Sequence, residues 1–201
     1  MLNVPNDDEA IHIDFAPALA FNKYSIRGSA AKLNAVLQYR NKIWFAIPLP
    51  LNNPDSSNDK SHWRLSFCQQ EGEILARYGR IKPVIRFMKK LRDVENWKSI
   101  ASYYIETLFL HKVSELHEDL NKLPLTLLFF RMLKELQYAC AQHKLQYFWD
   151  DGYNLLEKVG RNEMYNIACR LNNIIQNISK DATSDTFIIA KCVCKCTSFE
   201  I

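Results

Sequence analysis

The sequence predicts an α+β fold in which a partial mixed sheet is followed by a helical bundle, and three observations predict it. Short apolar runs with period-two alternation are confined to the N-terminal third, every strong periodic signal from Ser66 onward is helical, and no internal repeat or low-complexity segment interrupts either part. With 201 residues, 48% of them hydrophobic, the chain has enough apolar material for one core or for two lobes. No apolar run approaches the roughly 20 residues that span a bilayer, and Met1 to Glu9 is polar and acidic, unlike a signal peptide. An intracellular, cytoplasmic protein with no membrane partner is the expectation.

The first strand is expected where Ile11, Ile13 and Phe15 alternate with His12, Asp14 and Ala16, and a second at Ile43 to Ile47, closed by Pro48. Asn, Asp, Ser and Pro fill Pro50 to His62, which reads as a mobile surface loop before order resumes at Trp63-Arg64-Leu65-Ser66-Phe67. Ser66 and Gln69 stand at capping-box spacing and open a first helix that ends at Gly79, a residue suited to the left-handed C-terminal position. Pro83 suits the first turn of a second helix, because its missing N–H costs nothing there; Val84, Phe87, Met88, Leu91 and Val94 form its apolar side. A third helix is expected from Ser99 to Leu116. A fourth, opened by Pro124, carries Leu125, Leu128, Phe129, Met132, Leu133, Leu136, Ala139 and Cys140 at three-and-four spacing. A fifth covers Tyr153 to Ile178, broken at Gly160, with Ile167, Leu171, Ile174 and Ile178 as its apolar positions.

Six cysteines are present, three of them crowded as Cys192, Cys194 and Cys196. Cys-x-Cys-x-Cys without a His partner matches no standard zinc spacing, so reduced thiols on an irregular tail are the leading reading and a metal site the lesser one. Cys140 and Cys169 are expected as small buried hydrophobes on helices.

Three short stretches carry candidate chemistry. Asp14, in the middle of an apolar strand, is costly to bury unless a cation or a donor compensates it; an Asp that merely faces water on an edge strand fits the residues equally well. At Trp63-Arg64-Leu65-Ser66-Phe67-Cys68-Gln69-Gln70-Glu71, Arg64 and Ser66 alternate onto one side of a strand while Glu71 lies in the first helical turns. A guanidinium, a hydroxyl and a carboxylate near a helix N-terminus suit a purine edge and a phosphate. Taken alone, an ordinary helix start with a surface ion pair explains them as well. Ser102-Tyr103-Tyr104, followed by His111, offers a hydroxyl beside a ring that stacks on a base, although core tyrosines are the commoner case.

In order and spacing, these stretches resemble the cyclic GMP-AMP synthase-like receptors and the wider male-abnormal (Mab) family of nucleotidyltransferases, over nearly the whole chain and most weakly after Asp181. The resemblance implies the C-terminal part of the nucleotidyltransferase core over residues 1–75, a helical lobe of helix-hairpin-helix type over 76–180 and an irregular tail over 181–201. It implies Asp14 as the third metal-binding carboxylate. It makes Arg64 the reader of a guanine-like base, and it has Leu65, Ser66, Phe67, Cys68, Gln69, Gln70 and Glu71 line the nucleotide pocket. It implies Ser102 and Tyr103 as the nucleotide-binding serine and stacking tyrosine, and Arg86 as the basic residue directed at the triphosphate.

The implied activity is phosphoryl transfer between ATP and GTP, giving a cyclic dinucleotide with the help of two Mg2+ or Mn2+ ions, on sensing double-stranded nucleic acid in antiviral innate immunity. The sequence departs from the pattern twice. Only thirteen residues precede Asp14, and they contain no Gly-Ser turn, Asp7, Asp8 and Glu9 reading as a solvated acidic run. The chain by itself is therefore expected to be inactive, as a truncated isoform or an incomplete gene model, or as a family member that kept the fold and lost the chemistry. The zinc-binding loop of vertebrate members is also missing, since only Arg80, Ile81 and Lys82 lie between Gly79 and Pro83. No zinc is expected, and double-stranded RNA is favoured as the activating ligand, with a dimer forming on it.

Arg77, Arg80, Lys82, Arg86, Lys89, Lys90 and Arg92 fall within sixteen positions, although the net charge is only +4. Lys82, Arg86, Lys89 and Asp93 share a helix face opposite the apolar side, whose cations suit the phosphates of a duplex; a solvated face that keeps the protein soluble is the alternative. Arg80, Lys82, Lys89 and Lys90 are the nucleic-acid-binding candidates.

Overall fold

The computed structural model describes residues 2–6, 9–13, 17–22, 39, 43–48, 63–116 and 119–181. They fall in two compact units, Met1–Gly72 and Glu73–Ile201. The expected loop at Pro50 to His62 and the cysteine-rich tail lie outside the described residues.

In the first unit, β1 (Leu2–Asn6) and β2 (Glu9–Ile13) form an antiparallel ribbon with Leu2 opposite Ile13. A second antiparallel sheet has β4 (Ile43–Pro48) between β3 (Leu19–Asn22) and β5 (Trp63–Ser66). Strand side chains alternate between faces, so the register puts Phe21, Trp44, Ala46 and Leu65 on one face, and Phe45, Ile47, Arg64 and Ser66 on the other. Trp44 and Ala46 are buried, and Phe21 stacks on Trp44 with ring centroids 4.6 Å apart. A buried indole needs a partner for its N–H, and here it donates to the Asn22 carbonyl at 3.1 Å. β1 and β3 were not expected from the sequence.

Helix α1 (Cys68–Ala76) begins one residue later than the capping-box spacing implies. Glu71 N–H donates to Phe67 O at 2.9 Å, which makes Phe67 the N-cap and leaves Ser66 in β5 opposite Phe45. Nor does Gly79 close the helix in a left-handed conformation. Helix α1 ends at Ala76 in short-range turns, Arg77 N–H to Ile74 O and Tyr78 N–H to Leu75 O.

In the second unit, α2 (Ile81–Val94), α3 (Ser102–Leu116), α4 (Leu125–Gln142) and α5 (Arg161–Asp181) form the bundle, with a 3-10 turn at Asp119–Asn121. Helix α4 packs against α5, α2 and α3. The buried residues of α2 are Ile81, Val84, Ile85, Met88 and Leu91, an i, i+3, i+4 series that leaves Phe87 off the stripe. Phe87 is 47% exposed, against expectation, and meets Phe129 edge-to-face at 6.4 Å. On α4 every expected core position except Leu125 is buried.

Both α2 and α4 end in the same way. Trp97 N–H reaches back to Arg92 O and Asn96 N–H to Asp93 O, with Asn96 at φ 57°; Lys144 N–H bonds Ala139 O and His143 N–H bonds Cys140 O, with His143 at φ 51°. This is the Schellman pattern, with Asn and His in the left-handed position usually taken by glycine.

The segment expected to open the fifth helix at Tyr153 is instead the end of a hairpin, β6 (Gln146–Tyr147) and β7 (Asp150–Asn154), and α5 begins only after Gly160. Locally, Asp150 Oδ1 accepts from Gly152 N–H at 2.9 Å, a side-chain turn that competes with helix. Asn154 then clamps the hairpin: its Oδ1 accepts from Leu145 and Leu156 N–H at 2.9 and 3.2 Å, and its Nδ2 donates to His143 O at 3.0 Å. Cys140 is buried as expected, but Cys169 is exposed because it lies on the outer side of α5, next to buried Ala168. No helix of the described residues is long and apolar enough to cross a membrane.

Candidate nucleotide and nucleic-acid site

Asp14 lies outside the described residues. In the first unit, Arg64 and Leu65 are exposed and Ser66 is half-buried, the last two residues of β5 leading through buried Phe67 into exposed Cys68, half-buried Gln69 and buried Gln70 and Glu71. Arg64 and Ser66 share the strand face anticipated for them, because their partners Ile47 and Phe45 are two apart in β4. Gln70 ties helix to sheet, since its Nε2 donates to Ile43 O at 2.9 Å and fastens α1 to β4. Glu71, in the first turn of α1, places negative charge where helix N–H groups favour it.

In the second unit, Ser102 is the first residue of α3, and its Oγ accepts from Arg92 Nη1 at 2.8 Å. Tyr103 is half-buried, its ring centroid 6.2 Å from that of Tyr147, which in turn meets Tyr153 edge-on at 6.3 Å. The β6–β7 hairpin thus backs the candidate stacking tyrosine. His111 is tied to the same hairpin, with Nε2 2.9 Å from Gln146 O and its ring edge-on to Phe148, so it serves packing between α3 and the hairpin. Sequence reading missed Tyr147 and Tyr153 as neighbours of Tyr103 because it placed Tyr153 in a helix. The Asp150-Asp151-Gly152 turn residues were the signal that could have found them.

The basic run divides by partner. Lys89 Nζ meets Glu106 Oε1 of α3 at 2.5 Å, and Arg92 is held by Asp93 Oδ1 through Nε at 2.8 Å and Nη2 at 2.6 Å. Arg80 Nη1 donates to Leu123 O at 3.0 Å and has no carboxylate partner among the described residues. Lys82, Arg86 and Lys90 are exposed and have no carboxylate partner among the described residues. Arg92 and Asp93 also line a cavity of about 390 Å³, with Trp97, Lys98 and Ile100, where α2 passes into α3.

No group of three or more His, Cys, Asp or Glu side chains that could hold a metal occurs among the described residues. Those residues by themselves therefore do not fit a two-metal centre.

An α+β chain with short sheets ahead of a helical lobe has the architecture of a Mab-21 nucleotidyltransferase core and its C-terminal domain. The chain belongs to that family: residues 1–77 match the Mab-21 protein nucleotidyltransferase domain, and residues 80–173 match the Mab-21 protein HhH/H2TH-like domain. Among its relatives are proteins named cyclic GMP-AMP synthase-like receptor. That of Microplitis demolitor is 38% identical over 174 residues, covering 87% of this chain and 32% of the relative. That of Trichogramma pretiosum is 40% identical over 133 residues, covering 64% and 27%, and that of Ctenocephalides felis 35% over 177, covering 84% and 40%. The chain spans about a third of the length of the curated relatives it matches.

Proposed function

We propose that this chain is the nucleotide- and duplex-recognising part of a receptor of the cyclic GMP-AMP synthase-like kind, which joins ATP and GTP into a cyclic dinucleotide on sensing double-stranded nucleic acid, RNA in particular. The setting is cytoplasmic antiviral innate immunity, with a dimer forming on the duplex.

One observation carries the reading: in the second unit, cations and nucleotide-type side chains sort onto neighbouring helices. Lys82, Arg86 and Lys90 are exposed on α2 with no carboxylate partner among the described residues, while α3 opens with the Ser102 hydroxyl and the Tyr103 ring. Unpaired cations on one helix bind phosphates without regard to sequence, whereas a hydroxyl beside a ring holds a single nucleotide. Arg64, on its exposed strand face, supplies the fork of donors that a guanine edge accepts, and Leu65 to Glu71 complete that wall. Arg86 faces either the duplex or a triphosphate.

Asp14 is the residue of this chain that would help to hold Mg2+ or Mn2+, ions that neutralise charge on phosphates during transfer. One carboxylate does not hold two ions, so the 201-residue polypeptide binds but gives no cyclic product by itself. A second reading is a non-catalytic relative acting as a scaffold or regulator. A longer transcript with a Gly-Ser turn and paired carboxylates upstream of Asp14 selects the first.

The test is to mix the purified chain with ATP, GTP, Mg2+ or Mn2+ and double-stranded RNA. Duplex binding that falls steeply with salt, together with GTP binding and no cyclic product, is expected. A cyclic product overturns the inactivity. Unchanged duplex binding after charge reversal at Lys82, Arg86 and Lys90 removes α2 as the sensing surface.

A further inference from the structure

We infer that Arg92 is a positioning residue for Ser102, fixing the direction in which the Ser102 hydroxyl donates its hydrogen to a bound nucleotide. This rests on the reading of Ser102 as nucleotide-binding proposed above.

The sequence groups Arg92 with the outward cations of α2, but its side chain is only 17% exposed and is held on several sides. Nε and Nη2 donate to Asp93 Oδ1, and Nη1 donates both to Ile100 O at 3.3 Å and to Ser102 Oγ at 2.8 Å. A guanidinium has five N–H donors and no acceptor, so in the contact with Ser102 the hydroxyl oxygen has to be the acceptor. The single O–H of Ser102 is then left to donate elsewhere, and Ser102 Oγ has no other hydrogen-bond partner among the described residues.

Three consequences follow for a ligand. The positive charge on Arg92 polarises the hydroxyl and makes it a stronger donor than a free serine. The contact also restrains a rotor that at a helix start otherwise turns to accept from first-turn backbone N–H groups. Finally, with one lone pair of Ser102 Oγ taken by Arg92, the free O–H favours a ligand atom that is an acceptor, such as a phosphate oxygen of a nucleoside triphosphate. Asp93 and the Ile100 carbonyl hold the guanidinium in place before any ligand arrives, so this orientation is already set in the free chain.

GTP affinity, measured by calorimetry on the whole chain, tests this with Ser102→Ala, Arg92→Met, the double variant and Arg92→Lys. Thermal melting of each variant confirms folding. Each single change is expected to weaken GTP about tenfold, the typical worth of one charge-assisted contact. The double variant should be no weaker than Ser102→Ala alone, because Arg92 acts through that hydroxyl. Arg92→Lys keeps a cation with its donors on a single nitrogen and should recover part of the loss; if Arg92→Met does not fold, Arg92→Lys with and without Ser102→Ala closes the same cycle. Duplex affinity should not change.

Losses at Arg92 and Ser102 that simply add, or a loss at Ser102 with none at Arg92, overturn the positioning role and leave the nucleotide reading standing. No loss with Ser102→Ala, or no GTP binding by the unaltered chain, overturns the nucleotide reading and this inference with it.

Discussion

Lys89 Nζ lies 2.5 Å from Glu106 Oε1, so a cation in the middle of the basic run of α2 is committed to α3 rather than to solvent. Each cation that contacts a phosphate contributes about one unit to the slope of log affinity against log salt. Lys82→Met, Arg86→Met or Lys90→Met should each lower that slope by roughly one in fluorescence-anisotropy titrations with duplex RNA. Lys89→Met should lower it far less, and because the pair is partly exposed it should cost less than about 1 kcal/mol in denaturant unfolding. A slope lost equally at Lys89 and Lys90 would mean that the ion pair opens on the duplex.

Cysteine reactivity should divide by burial. Cys68 and Cys169 are exposed, whereas burial pushes the Cys140 thiol up to about 12 from its ordinary 9.0. In iodoacetamide labelling at pH 8 read by mass spectrometry, Cys68 and Cys169 should react while Cys140 reacts only after unfolding. Above pH 9 the unfolded chain releases the Cys140 proton and the folded chain keeps it. The contribution of this thiol to stability is therefore intact below pH 9 and declines as pH rises towards 12. Labelling of Cys140 in the folded chain at the rate of Cys169 would contradict its burial.

The left-handed residue after α2 gives a prediction of sign. Asn96, exposed at φ 57°, sits where glycine has no steric penalty. Asn96→Gly should leave the melting temperature unchanged or raise it slightly, while Asn96→Val should cost about 1–2 kcal/mol. Equal melting temperatures for the two variants would show that this turn relaxes to another conformation.

The hairpin behind Tyr103 depends on one amide. Asn154→Ala removes partners from Leu145 N–H, Leu156 N–H and His143 O together, and should destabilise the second unit by about 1–3 kcal/mol in urea unfolding. Tyr103 loses its backing with it, so GTP affinity should fall even at temperatures where the variant is folded. Full GTP affinity in a folded, hairpin-loosened variant would show that Tyr103 needs no support from Tyr147.

Much of the helical lobe was legible because a helix that buries one face writes a three-and-four pattern directly into the chain. The stripe of α4 from Leu128 to Cys140 is buried position by position, and α2 differs mainly in exchanging Phe87 for Ile85. The first unit was less legible. Four- and five-residue strands such as Leu19–Asn22 and Leu2–Asn6 are too short for alternation to stand out, and the hairpin at Gln146–Asn154 rests on side-chain turns that apolar periodicity does not register.

The sequence by itself determined the α+β class, the helices that matter, the Ser102-Tyr103 pair, the family and the concentration of cations on α2, since each of these is a property of neighbours along the chain. The tertiary structure decided which of those cations have a carboxylate or hydroxyl partner among the described residues. Lys89 shares its helix face with Lys82 but lies two turns further along α2, where Glu106 of α3 reaches it, and Arg92 reaches Ser102 of α3; that meeting sets whether a charge faces water or a carboxylate and a hydroxyl. Spacing fixes the angle of a side chain around its own axis; the partner that waits there comes from a different helix.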